Sequence, residues 1–249
     1  MAFTYELIQC QNPPNQYNID RNYTVVRCVF DNKHQNKQFY YDIAWELAQK
    51  VNPKAANDST NERDKERLTV DALGGVLAEH GWYYYINRIF GNGTVDFTEF
   101  EQGEPQIDLR LNNGRTMEIR SSFPKNGIKF AICNEMYNFK NICKYENLYK
   151  PSEADKDFFA SVLFETQKDQ LKKSDKIIFY LIGGSTKEMM QNDRISFIND
   201  LVAEDDLTQN RTRYKVIHLK NALDIAGFEN YMATMGYVKV NNPAINIQF

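Results

Sequence analysis

The stretch PQIDLRLNNGRTMEIRSS, residues 105–122, leaves a chain few structures to choose from. Ile107, Leu109 and Leu111 alternate with Gln106, Asp108 and Arg110, and Met117 and Ile119 alternate with Glu118 and Arg120. A period of two marks a strand with one apolar and one polar face, and Asn112-Asn113-Gly114 between the two runs is turn chemistry. Loop length then decides the register. A two-residue turn at Asn113-Gly114 pairs Asp108 with Ile119 and mixes polar with apolar on each face. A three-residue loop pairs Leu111 with Arg115, Leu109 with Met117, Ile107 with Ile119 and Asp108 with Glu118. Glycine at its third position suits the left-handed residue of a type I turn with a G1 bulge. A slip of one residue flips a whole face, so apolar matching selects the three-residue loop.

That register sets two carboxylates across a ladder, at a Cβ separation of about 4.5–5.5 Å, where like charges repel. The pair needs a counter-charge. A hard divalent cation is one answer, since Mg²⁺ is held by one or two carboxylates with water and substrate phosphate. Neutralisation by Arg110, Arg115 and Arg120 on a solvated sheet face is the other. In the same register Gln106 faces Arg120, whose guanidinium suits a phosphate oxygen. Upstream, Ala72, Val76, Glu79, Tyr83, Ile86 and Phe90 form one helical stripe. Glu79 in that apolar row calls for a metal or arginine partner, unless it lies at the rim and reaches water.

The other segments sort by pattern. Residues 24–30 read as a strand, 38–51 as an amphipathic helix, and 52–67 as a polar loop or linker. Residues 69–90 read as a long helix despite Gly74, Gly75 and Gly81, which suggest close packing; Gly91-Asn92-Gly93 ends it. Three strands are expected at 106–111, 116–121 and 128–133. Ser152 with Asp155 looks like an N-cap opening a helix through Leu163. The run KIIFYLI, 176–182, has the pattern of a strand buried on both faces. Ser185 and Glu188 form a capping box for a further helix, and a strand at 214–219 precedes a C-terminal helix. The expected fold is mixed α/β, a meander feeding a crossover.

The chain has 249 residues, 42% hydrophobic and 25% charged, with a net charge of −3. Nothing in that balance advertises nucleic-acid binding, so such a surface would be a local basic patch. Cys10, Cys28, Cys133 and Cys143 show no CxxC pair, and His34, His80 and His218 lie far apart. Neither a disulfide framework nor a Cys/His zinc site is expected, and the reduced cytoplasm is the expected home. No run approaches the roughly 18 apolar residues of a membrane span.

The hairpin and the helix glutamate together resemble the PD-(D/E)XK nuclease superfamily, the fold of type II restriction endonucleases. The motif reads here as Pro105-Gln106-Ile107-Asp108, nine residues, then Glu118-Ile119-Arg120, with Glu79 on the preceding helix. The resemblance covers roughly residues 69–219. It implies a restriction-endonuclease-like αβββαβ core with a mixed sheet flanked by helices, placed at 66–249. Residues 1–65 would be an N-terminal extension for DNA recognition or dimerisation.

By the same resemblance the chain would be a Mg²⁺- or Mn²⁺-dependent endonuclease hydrolysing double-stranded DNA, working as a homodimer. Asp108 and Glu118 would ligate the metal, with the Ile119 carbonyl and water. Glu79 would be an auxiliary ligand, and Asp108, Glu118 and Arg120 the catalytic set, with Gln106 and Lys129 toward the substrate. Arg120 departs from the family's lysine. Arginine keeps its proton and cannot activate water, so Lys129 or Lys125 is expected to substitute. Two other outcomes stay open: an inactive member that binds DNA or protein, and a repair or junction nuclease.

Three further features carry less. Gly183-Gly184-Ser185-Thr186-Lys187 opens a helix but lacks phosphate-loop spacing, so capping is its expected role. Tyr83-Tyr84-Tyr85 could stack on bases, though at least one is expected in the core. Lys140, Lys144, Lys150, Lys172, Lys173 and Lys176 could line a cleft or simply be solvated.

Overall fold

A computed structural model describes residues 1–50, 64–98, 108–137, 139–146, 155–202, 211–241, 243 and 245–247. The chain begins with two strands, β1 (Ala2–Gln9) and β2 (Asn22–Asp31), and two helices, α1 (His34–Lys50) and α2 (Lys65–Phe90). A meander follows, β3 (Val95–Phe97), β4 (Leu109–Leu111) and β5 (Thr116–Ser122), then the short helix α3 (Ile128–Cys133) and β6 (Lys140–Tyr145). The long strands β7 (Phe158–Phe164) and β8 (Lys176–Thr186) lead to α4 (Lys187–Gln191), β9 (Ser196–Leu201) and β10 (Thr212–His218). Helix α5 (Ile225–Thr234) and the two-residue β11 (Asn246–Ile247) complete it.

Among the described residues the strands make two sheets. The main one runs β11-β1-β2-β8-β7-β5-β4-β3 and the smaller β6-β10-β9. The main sheet is mixed: β5 lies parallel to β7, and β11 to β1, while the other neighbours are antiparallel. Strand alternation divides it into two faces. Phe158, Ala160, Val162 and Phe164 of β7, with Met117 and Ile119 of β5, pack under α2 and α5. Phe159 and Leu163 point the other way, against Ile128 of α3, Met190 of α4 and Ile217 of β10. Residues 1–50 supply β1 and β2 to the same sheet and set α1 against α2.

Several expectations hold. The strand at 24–30, the helices near 38–51 and 69–90, and the strands at 116–121 and 176–182 are all present. Of the expected strand at 106–111, residues 109–111 form β4, and 106 and 107 lie outside the described residues. Most of the expected linker at 52–67 lies outside them too.

Four expectations are corrected. Residues 128–133 form α3 rather than a strand. Ile128, Ala131 and Ile132 are buried while Lys129 and Phe130 are exposed, a helical period the composition had masked. The meander's third place is taken instead by β3, paired Val95 to Leu111 and Phe97 to Leu109. Residues 158–163 belong to a strand rather than a helix. Every residue of β7 is buried, and the strand is flanked by β5 and β8, which is the central-strand signature. The strand expected at 214–219 runs instead over Thr212–His218, in the small sheet.

The fourth correction concerns cysteine. Cys10 and Cys133 are joined by a disulfide across 123 residues, while Cys28 and Cys143 are free and buried. The loop after β1 is laid along the end of α3 by the Ile19 N–H bond to the Cys133 carbonyl, at 2.9 Å, and by an Asn18–Asn134 bridge. No local spacing foretells that contact. Among the described residues, no helix is long and apolar enough to cross a membrane.

Candidate metal centre

The hairpin takes the three-residue loop. Leu109 pairs with Met117 and Arg110 with Thr116. The Leu111 N–H donates to the Arg115 carbonyl at 2.8 Å, and the Asp108 N–H to the Met117 carbonyl at 3.2 Å. Gly114, third in the loop, has φ +88°, the left-handed region glycine tolerates. The paired ladder ends at Leu109, and Asp108 sits in the bend just before it, its side chain turned to the Ile119 N–H. Because Met117 and Ile119 face α2, Glu118 and Arg120 face the small sheet.

The two acids are not on a solvated face. Asp108 is 8% exposed and Glu118 2%, so they do not lie in water, although Arg120, one of the three arginines expected to neutralise them, does pair with Glu118. Arg110 is exposed, and Arg115 is 3.6 Å from Asp157. The cations at the pair are two others. Arg120 Nη2 lies 2.9 Å from Glu118 Oε1, and Lys156 Nζ lies 3.6 Å from Glu118 Oε2. Arg120 also lies over the Tyr145 ring, 4.5 Å from its centroid.

Electrostatics follow from that burial. Asp108 Oδ2 accepts the Ile119 N–H at 2.6 Å. Its carboxyl is nevertheless pushed up to about 7, by burial first and by the Glu118 charge second, against the opposing pull of that N–H, Arg120 and Lys156. Glu79, half-buried on α2, is raised well above the ordinary carboxylate range by burial and then by the charges of Asp108 and Glu118. Asp108 and Glu118 thus both act on Glu79, and Arg120 and Lys156 oppose them at Asp108. Glu118 Oε2 accepts no hydrogen bond although it is buried, and such an atom carries its full desolvation cost.

The elements explain this arrangement. Asp157 clamps the start of β5: its carboxylate accepts the Thr116 N–H at 2.8 Å, and its own N–H donates to the Thr116 carbonyl at 3.0 Å. That clamp, with β7 parallel to β5, sets Lys156 beside Glu118. Lys156 is 1% exposed. Sequence reasoning missed it because it lay inside the helix expected through Leu163. Only the parallel pairing of strands 41 residues apart (Glu118 with Phe159) brings it in.

The other expected site residues fare unequally. Lys129 is corrected: it sits on α3, where its ammonium donates to the Asn12 carbonyl, and the cations acting on Asp108 are Arg120 and Lys156. Gln106 lies outside the described residues. Comparison with protein-family models, with curated proteins and with solved structures finds no match.

Among the described residues no group of three His, Cys, Asp or Glu side chains is drawn together tightly enough to hold a metal by itself. The donor set fits an ion bound more sparingly, by one or two carboxylates with water and substrate making up the rest. Asp108 and Glu118 supply hard oxygen donors, and Glu118 Oε2 has no hydrogen bond to lose.

The remaining motifs are structural. A Cβ at Gly183 would come within 2.0 Å of the Leu223 carbonyl oxygen, so the Gly183-Gly184 turn is filled by backbone. Thr186, not Ser185, caps α4 by accepting the Met189 N–H at 3.2 Å. Tyr85 is core and Tyr84 exposed, while Tyr83 stacks on Phe97 at 4.5 Å. Lys144 and Lys172 pair with Asp155 and Glu66, at 3.0 and 3.2 Å.

Proposed function

We propose that the chain is a Mg²⁺- or Mn²⁺-dependent endonuclease of restriction-endonuclease-like fold that hydrolyses double-stranded DNA. The observation that carries this reading is the burial of Asp108 and Glu118, whose charges both act on Glu79 of α2. Three mutually repelling carboxylates in a poorly hydrated place are costly to keep, and a divalent ion with a phosphate is what they suit. The order α2, β3, β4, β5, α3, β7, with β7 parallel to β5, supports the αβββαβ assignment, β6 being an addition before the last strand.

In this reading Asp108 and Glu118 would hold the ion, with Glu79 toward it directly or through water. Such an ion would supply a water of lowered pKa and charge stabilisation for the leaving oxygen. Arg120 keeps its proton throughout. It fixes Glu118 Oε1 and offers the rest of its guanidinium to a phosphate oxygen. The Ile119 N–H holds Asp108 in place. Two copies related by a twofold axis would give each strand of a duplex its own site.

The test is plasmid DNA incubated with purified protein in Mg²⁺ or Mn²⁺ and in EDTA, beside Asp108→Ala. Discrete metal-dependent fragments lost in the variant are expected. Cleavage at junctions alone would make the chain a repair nuclease. A second reading, a binder of DNA or protein that does not cut, is favoured by the Arg120–Glu118 ion pair, which ties up a metal ligand. No cleavage with retained gel-shift binding would establish it.

A further inference from the structure

Lys156 is a fully buried lysine with no place in the motif. A buried ammonium is held only where something compensates it, and Glu118 Oε2, an oxygen that accepts no hydrogen bond, lies 3.6 Å from it. The ion pair is therefore longer than a hydrogen bond, although Asp157 beside Lys156 is firmly clamped to β5. Glu118 divides its oxygens: Oε1 goes to Arg120 at 2.9 Å, and Oε2 faces the lysine at the longer distance. Arg120 and Lys156 both draw the Asp108 carboxyl down, against burial and the Glu118 charge, so the two cations act on the pair of acids together.

We propose that Lys156 is the resident counter-ion of this carboxylate cluster: it competes with a divalent cation for Glu118 and, once the cation is bound, presents its charge to a phosphate. The assignment rests on the reading of the cluster as a cation site. It goes beyond that reading by giving the lysine two opposed effects, weaker binding of the cation and stronger binding of the anion that follows. A lysine serving only to hold the fold would not move the two in opposite directions.

The experiment is calorimetric titration of Mn²⁺ into the full chain as wild type, Lys156→Met and Lys156→Arg. A labelled DNA duplex is then titrated onto each protein loaded with Ca²⁺. Lys156→Met is expected to bind Mn²⁺ about tenfold tighter, equivalent to about 1.4 kcal/mol, and the duplex several-fold more weakly. Lys156→Arg, which keeps the charge, is expected to stay close to wild type in Mn²⁺ affinity. Thermal scans read the same competition, with Mn²⁺ raising the midpoint of Lys156→Met more than that of wild type.

Equal Mn²⁺ affinity in wild type and Lys156→Met overturns the assignment, as does unchanged duplex binding. So does a Lys156→Met chain that stays unfolded at saturating Mn²⁺. Failure of the nuclease reading looks different: Mn²⁺ binding that is lost in Asp108→Asn, with the lysine effects intact but no DNA cleaved by wild type.

Discussion

Asp108 shows how a single side chain can be poised at odds with stability. Its ordinary value is 3.8, and the folded chain lifts it to about 7. Between those values the folded protein holds a proton that the unfolded chain has released, so stability falls as pH rises through the window. Glu79, raised by burial and by its neighbours' charges, pulls in the same direction. In EDTA, urea midpoints are expected to decline from mildly acid pH to about 7 and then level off; a flat profile would count against the burial argument. Mn²⁺ needs the ionised carboxylates, so its affinity is expected to climb across the same window, with proton release measurable by calorimetry in two buffers. Asp108→Asn keeps an oxygen for the Ile119 N–H and removes the buried charge. At pH 8 in EDTA it is expected to be more stable than wild type by about 1–3 kcal/mol, and to bind no Mn²⁺.

At the scale of elements, α2 carries glycines with different work. A Cβ at Gly81 would meet the Phe179 ring at 2.7 Å, whereas at Gly75 the nearest atom is Glu79 Oε1 at 3.9 Å. Gly81 lets the helix lie directly on β8, the close packing that the glycines of this helix suggested. Gly81→Ala is expected to cost about 1–3 kcal/mol through overpacking. Gly75→Ala has room, and removal of a mid-helix glycine is expected to add about 0.5–1 kcal/mol. Chemical denaturation of the two variants checks both signs. The errors in element type share one origin. IKFAIC and FFASVLF are short apolar runs whose period is ambiguous over six or seven residues. Their neighbours decided between helix and strand: β7 is paired on both sides, whereas α3 has its strand place already filled by β3.

At the scale of the whole molecule, two long-range ties complement the sheet. Glu229 on α5 takes hydroxyl bonds from Tyr5 of β1 and Tyr85 of α2, the latter at 2.7 Å, and Lys239 at 2.6 Å. The Cys10–Cys133 bond closes a loop spanning 123 residues, from the end of β1 to the end of α3. Closing a loop of that size restricts the unfolded chain strongly. Reduction, or paired replacement of both cysteines by serine, is expected to lower stability by about 2–4 kcal/mol. Equal denaturation curves with and without reductant would refute this.

The hairpin was legible residue by residue, because strand alternation and a glycine-ended loop are local. They alone determined the pairing of Leu109 with Met117, which leaves Asp108 and Glu118 just beyond it, and the stripe that Glu79 shares with apolar neighbours. Sequence alone left open whether those acids meet water, and it offered Lys129 where the fold supplies Lys156. Those answers depend on which strands pair across 41 residues and on what covers the second face of the sheet. Burial and charge proximity are properties of that packing. They arise only when the parallel strand and its preceding lysine close over the hairpin, and so the site's chemistry was decided by the tertiary structure.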